Sequence, residues 1–170
     1  MTLSKPKWKT LLLSSPLLVL LLGSTLLLVN NFGCNYEMTI QSQGVDYRGV
    51  CRWGRFSFIE EELSTKVKWR LSGWQLNVGD QLTYLVTKRE LLAAGNGNKS
   101  PLTNYHQIQS EFALVNYAWL PLTENKIVIF QRTPHHDVIV ANREGWLDLY
   151  RWFFPPKPLL AAQQNAAGSQ

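Results

Sequence analysis

The chain has 170 residues, the length of one domain rather than two, and carries 17 Lys+Arg against 12 Asp+Glu. Three of the cations, Lys5, Lys7 and Lys9, precede residue 10, which leaves 14 positive and 12 negative charges in a nearly neutral remainder. Nucleic-acid binding needs clustered Lys/Arg together with a reading motif, and the sequence has neither. It therefore argues against direct binding of nucleic acid.

Leu11 to Val29 is an uncharged, leucine-rich segment of 19 residues. About 20 such residues cross the hydrocarbon core of a bilayer. The lysines precede it and the next cation is Arg48, so the positive-inside rule predicts a cytoplasmic N-terminus and an exported body. We expect a cytoplasmic tail (1–10), an inner-membrane anchor (11–29), a periplasmic β-rich domain (30–155) and a flexible Pro/Ala/Gln tail (156–170).

Two alternatives to an uncleaved anchor stay open. A cleaved signal peptide has a shorter apolar core followed by small residues, whereas Asn30 and Asn31 follow this segment. A lipoprotein would use Gly33 directly before Cys34, but Asn31 and Phe32 stand where leucine and a small residue are usual. The uncleaved anchor fits the segment best.

Cys34 and Cys51 are the only two cysteines. An even pair in an oxidising compartment favours a disulfide, and closing a loop of this size contributes about 3 kcal/mol. Two buried or free thiols are the alternative. No C-x-x-C redox motif is present.

The first half of the exported part alternates apolar and polar residues with a period of two, which predicts strands. The pattern covers Tyr36 to Gln41, Phe56 to Phe58, Thr65 to Gly73 and Leu82 to Val86. Within Thr65 to Gly73, the residues Val67, Trp69 and Leu71 are expected on the core face. Gly73 and the Gly79-Asp80 pair are expected to be turns.

The second half begins with a predicted surface loop at 93–102, rich in Gly, Asn, Ser and Pro. Ile108 to Leu114 alternates like one long strand, and Lys126 to Gln131 and Asp137 to Ala141 are β-branched runs that predict a hairpin. Strands at this spacing predict a mainly β (α+β) domain, built as an antiparallel barrel or sandwich.

Trp146, Leu149, Tyr150 and Phe153 recur at helical spacing, which predicts a short amphipathic C-terminal helix. Its aromatic stripe either docks on the β domain or lies at the membrane interface. We expect docking, because core packing is the commoner role of such stripes.

The search for catalytic and metal sites leaves few candidates. Nucleophile-elbow, zincin, P-loop and dinucleotide motifs are absent from the sequence, and Glu60 to Glu62 is predicted to be a solvated run. His135 and His136 are adjacent and splay apart, and His106 is the only other histidine, so we expect no metal site and no cofactor. These three histidines are candidate pH sensors. The protein is expected to bind rather than catalyse.

The chain is rich in aromatic residues, with seven Trp, seven Phe and six Tyr. Most must form the core, but aromatics are also enriched in binding surfaces. The candidates for contact with an apolar ligand or a partner are Trp69, Trp74, Tyr84, Phe112 and Trp119.

The layout resembles the ToxS-like, PsaF (MyfF)-like and FidL-like inner-membrane accessory proteins. The resemblance covers about residues 1–90 and rests on the basic tail, the span, Cys34, the strand at Tyr36, Arg55 to Gly73 (RFSFIEEELSTKVKWRLSG) and Asp80 to Arg89 (DQLTYLVTKR). The C-terminal cysteine of FidL-like proteins is missing here. The resemblance implies a partner, a ToxR-type membrane-bound winged-helix regulator, and a lipocalin-like barrel that senses an amphipathic ligand.

We therefore expect a periplasmic co-regulator that binds and stabilises the regulator's periplasmic domain. Its edge strands and aromatics would pair with an exposed sheet edge of that partner. The alternatives are a subunit or assembly factor of an envelope secretion or pilus system, and an enzyme with a cryptic site.

Overall fold

The computed structural model describes residues 8–96, 100–131 and 137–159, with side chains described from residue 16 onward. Eight antiparallel strands form a closed barrel, preceded by a long helix and accompanied by two short ones. In chain order the elements are α1 Trp8–Phe32, β1 Asn35–Ser42, β2 Val45–Arg52, β3 Arg55–Glu62, β4 Lys68–Val78, β5 Gln81–Ala93, α2 Pro101–Gln109, β6 Leu114–Pro121, β7 Lys126–Gln131, β8 Asp137–Trp146 and α3 Leu149–Phe153.

Each strand pairs with the next along the chain, and β8 pairs back with β1 from Asn35↔Trp146 to Ile40↔Ala141. This up-and-down order confirms the mainly β, antiparallel barrel and removes the sandwich alternative. Alternate residues point inward, as the period-two pattern requires. The core is therefore the barrel interior, around Tyr36, Met38 and Leu82.

Two-residue turns join the early strands. Gln43-Gly44 and Trp53-Gly54 have positive φ at both positions, the geometry that matches the twist of a tight hairpin. Gly79 also has positive φ and forms the β4–β5 turn, as predicted. The two ends of the barrel follow from these turns. We call the end that holds α1 and the Trp53-Gly54 turn the base, and the end that holds the Gln43-Gly44 turn the mouth.

The prediction of a turn at Gly73 is wrong, because this glycine lies in the middle of β4. The β4–β5 register shifts between Ser72 and Gly73, and a Cβ on Gly73 would stand 1.9 Å from the backbone oxygen of Leu85. The glycine is needed for close approach of the two backbones at a bulge. The strand itself is confirmed, with Leu71 buried, although it begins at Lys68.

The prediction of one long strand from Ile108 to Leu114 is also wrong, since α2 occupies residues 101–109 and β6 starts at Leu114. The Ser100 side chain caps the helix by accepting the backbone N–H of Thr103 at 3.2 Å, and Pro101 fills its first turn. Proline at that position is already shaped for a helix. The hairpin of β7 and β8 is confirmed.

The prediction of an amphipathic helix from Trp146 holds only in part. Trp146 is the last residue of β8, and α3 has five residues, of which none is buried. Asp148 caps α3 by accepting the Arg151 N–H at 2.8 Å. The docked part is instead the preceding Leu147 and Asp148, which are fully buried at the base.

The long helix α1 ends against the base of the barrel, next to β4 and α3. No helix in the part of the chain described here satisfies both the length and the apolarity that a membrane span requires. Directly after α1, the predicted disulfide is present and joins Cys34 to Cys51 of β2, with 5.8 Å between the two Cα atoms.

Candidate functional site

The mouth half of the barrel encloses a cavity of about 100 Å³. All strands contribute to its wall, and Tyr105 and Gln109 of α2 form its roof. The lining is mostly apolar and includes Met38, Ile40, Phe56, Phe58, Leu71, Tyr84, Val86, Val115, Tyr117, Ile129 and Ile139. Apolar enclosure with a few polar groups is typical of small-molecule sites.

Four aromatic rings form one side of this cavity. Phe56 lies 4.7 Å from Tyr84 and 5.8 Å from Phe58, and Tyr84 lies 6.0 Å from Tyr117, measured between ring centroids. The contacts of Tyr84 are edge-to-face, an arrangement that aromatic pairs favour. Below the rings, the hydroxyl groups of Tyr36 and Tyr84 are 3.0 Å apart, and Tyr36 donates to Gln75.

Among the described residues, Glu60 is the only acidic one in the wall of the cavity. Its Oε2 lies 3.0 Å from Nε2 of His106, and Glu60 is the cross-strand neighbour of Trp69, whose ring stacks on His106 at 4.5 Å. Despite the short distance, the imidazole N–H does not point at the oxygen. Oε2 of Glu60 and both ring nitrogens of His106 are buried without a hydrogen-bond partner among the described residues.

The charge of Glu60 acts on the tyrosines around it. Burial raises the pKa of Tyr47, Tyr105 and Tyr117, and the negative charge of Glu60 raises all three further. The phenols therefore stay neutral. Arg89 acts on Tyr105 in the opposite sense, but it does not line the cavity.

The helix α2 closes the mouth because one face of it points into the barrel. Leu102, His106 and Gln109 are buried, while Gln131 of β7 donates to the Tyr105 hydroxyl at 3.3 Å. Its first turn is held by Glu62, which accepts hydrogen bonds from Ser100 and other groups. We call α2 the lid.

A polar network fastens α1 and α3 to the base. The side chain of Asn31 accepts the backbone N–H of Asn77, whose amide donates to Asp148. Asp148 also accepts from the guanidinium of Arg151 at 2.7 Å, and that guanidinium lies 4.6 Å above the ring of Trp119. Asn77 and Asp148 are fully buried, so each of these bonds is protected from water. These bonds fasten the base of the barrel to the end of α1.

A second, apolar groove of about 310 Å³ lies outside the barrel, between the end of α1 and strands β4 to β6. Its lining includes Leu28, Phe32, Trp74, Leu76, Leu85 and Leu114. The ring of Phe32 meets Trp74 edge-on at 6.1 Å. The groove continues the apolar surface of α1 onto the barrel.

The five predicted aromatic contact residues do not form one surface. Tyr84 lines the cavity, and Trp69 packs behind it against the lid. Trp74 lies in the outer groove, Phe112 is exposed after α2, and Trp119 is buried at the base.

The three candidate histidines separate as well. His106 is buried beside Glu60, whereas His135 and His136 lie outside the described residues. Across the described ranges no group of three His, Cys, Asp or Glu side chains is placed to hold a metal ion.

Glu60 and Glu62 are the site residues that the sequence reasoning missed, because a run of three glutamates suggested a solvated turn. Both are only 6% exposed, and Glu61 between them points outward. A signal was present: Phe56 and Phe58 define the inward face of β3, and the same period of two continues to Glu60 and Glu62.

The comparisons with known proteins name no relative. No protein-family model matches the chain, and no curated protein matches it at a significant level.

Proposed function

We propose that this protein is a membrane-anchored, periplasmic accessory protein that binds a small apolar or amphipathic molecule and a membrane-bound winged-helix regulator. The observation that carries the proposal is the aromatic cavity closed by the lid. A closed barrel with a helix over its mouth is an architecture that holds one small ligand. The resemblance of residues 1–90 to accessory proteins of ToxR-type regulators supports the choice of partner.

Anchoring in the membrane is supported by the surface of α1. Leucines from Leu17 to Leu28 are exposed on every side of this helix, and a helix that is apolar all round is stable only when it is surrounded by protein or lipid. An exposed aromatic belt surrounds the point where α1 meets the barrel, as expected at a membrane interface. It consists of Phe32, Trp53, Trp74, Tyr150, Trp152, Phe153 and Phe154.

Binding of a partner is supported by an unpaired stretch of sheet edge. The closed barrel pairs most of the strand edges that the sequence suggested were free, and β5 carries the longest stretch left unpaired among the described strands. β5 has 13 residues, but β6 pairs only with Gln81 to Leu85. Beyond the bond from Val86 N–H to Ala113, no described strand lies on that side of β5. Leu91 and Leu92, 46% and 41% exposed, lie on this stretch, so an added apolar strand would complete it.

The unpaired edge of β5 lies close to the lid, so ligand binding and partner binding can affect each other. The same end of β5 lies at the mouth, next to the lid, where the Arg89 guanidinium donates to the backbone oxygen of Phe112 at 3.2 Å. A ligand that shifts the lid would therefore change the segment beside the partner's strand. Signal transfer would then be a shift in the population of the partner's states, without catalysis.

Ligand binding is tested with toluene as a neutral probe on the full-length protein in detergent, with the shift in Tm as readout. Toluene should raise Tm, and the shift should grow with the logarithm of its concentration above Kd. Ile139→Phe, which fills the cavity, should abolish the shift, whereas Val140→Phe on the outer face of β8 should retain it. Absence of any shift in the wild-type protein would contradict the ligand-binding part of the proposal.

Partner binding is tested by purifying the tagged full-length protein from membranes and identifying what accompanies it. The expected companion has one span and a winged-helix domain. Leu91→Lys with Leu92→Lys should reduce its recovery at least tenfold, because lysines block strand addition at an edge. Val50→Lys, at an exposed position of β2 that is paired with both β1 and β3, is the matched control. Recovery of no such regulator, or equal recovery with both variants, would refute the partner assignment.

A further inference from the structure

The chemistry of the cavity is asymmetric in charge, and this asymmetry identifies a class of ligand. The wall contains one carboxylate, Glu60, and no lysine or arginine is found among the described residues that line it. A buried carboxylate that lacks a hydrogen-bond partner is destabilising, so an unsatisfied atom such as Oε2 of Glu60 requires an explanation. Oε2 itself faces His106 and no open space, so a ligand that donates a hydrogen bond would meet the same carboxylate from the cavity side, where Glu60 lines the wall.

The contact between Glu60 and His106 does not prevent a ligand from donating a hydrogen bond to the Glu60 carboxylate. A carboxylate has about four lone-pair positions, and the imidazole N–H is directed at none of those on Oε2. His106 approaches from the lid, whereas Glu60 itself lines the cavity. A donor inside the cavity and the histidine above it can therefore contact the same carboxylate from different sides.

The surrounding rings favour a positive charge on that donor. The faces of aromatic rings attract cations, and aromatic cages are a recurrent site for alkylated ammonium groups. Phe56, Phe58, Tyr84 and Tyr117 lie within 6.0 Å of a neighbouring ring in this cluster and line the cavity that Glu60 enters. Burial raises the pKa of the nearby phenols and the negative charge of Glu60 raises it further, and the same charge would repel an anion.

We propose that the cavity binds a small apolar amine as its ammonium ion, with Glu60 accepting its N–H and the aromatic rings surrounding its charge. This inference rests on the proposed function, since it names the ligand class of the same cavity. The volume of about 100 Å³ sets the size. A cavity of about 150 Å³ holds benzene, so this smaller cavity limits the apolar part to one ring at most, and a short branched chain also fits that limit.

The test compares three probes that share one ring: benzylamine, benzyl alcohol and benzoate. Each is titrated at pH 7 into the full-length protein in detergent, and binding is followed by calorimetry. Benzylamine should bind at least tenfold more tightly than benzyl alcohol, and benzoate should bind more weakly than both. Equal affinities, or a preference for benzoate, would overturn the inference.

Two substitutions test whether Glu60 and the aromatic rings cause the preference for the amine. Glu60→Gln should remove the advantage of benzylamine over benzyl alcohol, whereas Glu61→Gln, on the outer face of the same strand, should retain it. Phe58→Leu keeps the cavity apolar and should weaken the binding of benzylamine more than that of benzyl alcohol. This second variant keeps the test decisive if Glu60→Gln fails to fold. An amine preference that survives in both Glu60→Gln and Phe58→Leu would refute the assignment.

The outcomes also separate this inference from the proposed function. Binding of toluene and benzyl alcohol without an amine preference overturns the amine assignment and leaves the ligand-binding barrel intact. Failure of toluene and of all three ring probes overturns both.

Discussion

Glu62→Gln should loosen the lid. The carboxylate of Glu62 accepts hydrogen bonds from the hydroxyl groups of Ser100, Thr65 (2.8 Å) and Ser64 (3.3 Å), and from the backbone N–H of Leu102. Two of these donors belong to the cap and first turn of α2, where a negative charge is also favoured by the helix dipole. A single buried side chain thus holds the start of the lid to the end of β3.

The magnitude follows from the number and type of these bonds. Hydrogen bonds to a charged group contribute about 1.5–3 kcal/mol each against about 1 kcal/mol for neutral ones, and the dipole adds about 0.3–1 kcal/mol. Glutamine keeps one acceptor oxygen, so some bonds persist in neutral form. The net loss in the free energy of unfolding should be about 2–3 kcal/mol, or roughly 5–10 °C in Tm.

The pH dependence provides an independent check. Burial raises the pKa of Glu62, but the hydrogen bonds from Ser100, Thr65, Ser64 and Leu102 lower it more, so the pKa lies below its ordinary value. A carboxyl group with a lowered pKa stabilises the fold above its unfolded pKa of about 4.3, and this contribution is lost as the pH falls through the folded value. The wild-type protein should lose this stability in acid, and Glu62→Gln should lack that part of the pH dependence.

The assay is thermal unfolding of the full-length protein, together with hydrogen exchange of the amides of α2. Glu61→Gln is the control, because Glu61 forms a half-exposed ion pair with Lys68 at 3.0 Å that is worth at most about 1 kcal/mol. Equal stability of the two variants, or exchange in α2 at the wild-type rate, would show that Glu62 does not hold the lid.

Three further predictions concern the framework. Cys34→Ala with Cys51→Ala should lower the free energy of unfolding by about 3 kcal/mol, measured in urea; an unchanged midpoint would contradict a disulfide that constrains the unfolded chain. Gly73→Ala should cost about 3 kcal/mol because its Cβ meets the β5 backbone, whereas Gly79→Ala, at a positive φ with open space around it, should cost about 1 kcal/mol. Asp148→Ala should cost about 3 kcal/mol in the same assay because it removes the buried acceptor of the Asn77 amide and the closest partner of the Arg151 guanidinium, which among the described residues keeps only the Gly79 oxygen and the exposed Asp80. A loss below that of Gly79→Ala would argue against the base network.

The accuracy of the strand predictions depended on local pattern. β1, with its clean alternation, and β7, with its β-branched run, were predicted at nearly their observed positions. β3 and β8 were predicted only in part, because the predictions ended at Phe58 and Ala141 whereas the strands continue to Glu62 and Trp146.

The strand prediction for Ile108 to Leu114 was wrong because its apolar residues recur every second position. The segment is in fact the end of α2 followed by the connection to β6. The Ser100-Pro101 pair, a helix-start signal, was overlooked. Gly73 misled because a glycine at a bulge and a glycine at a turn look the same in sequence.

The candidate site was predictable only in part. Tyr84 was singled out from its place in an alternating strand, and it does line the cavity. The pairing of Glu60 with His106 could not be read from the sequence, since the two residues are 46 positions apart and meet only because α2 folds over the mouth.

The sequence by itself determined several of the strands, the turn at Gly79-Asp80, and that the two cysteines are the only candidates for a disulfide. These features depend on neighbouring residues, whose periodicity and turn chemistry are local. Only the tertiary structure decided that the eight strands close into a barrel, that Glu60 faces an aromatic cavity, and that the end of β5 stays unpaired. Alternation states that a residue faces inward, whereas closure of the sheet decides which other residues it meets there.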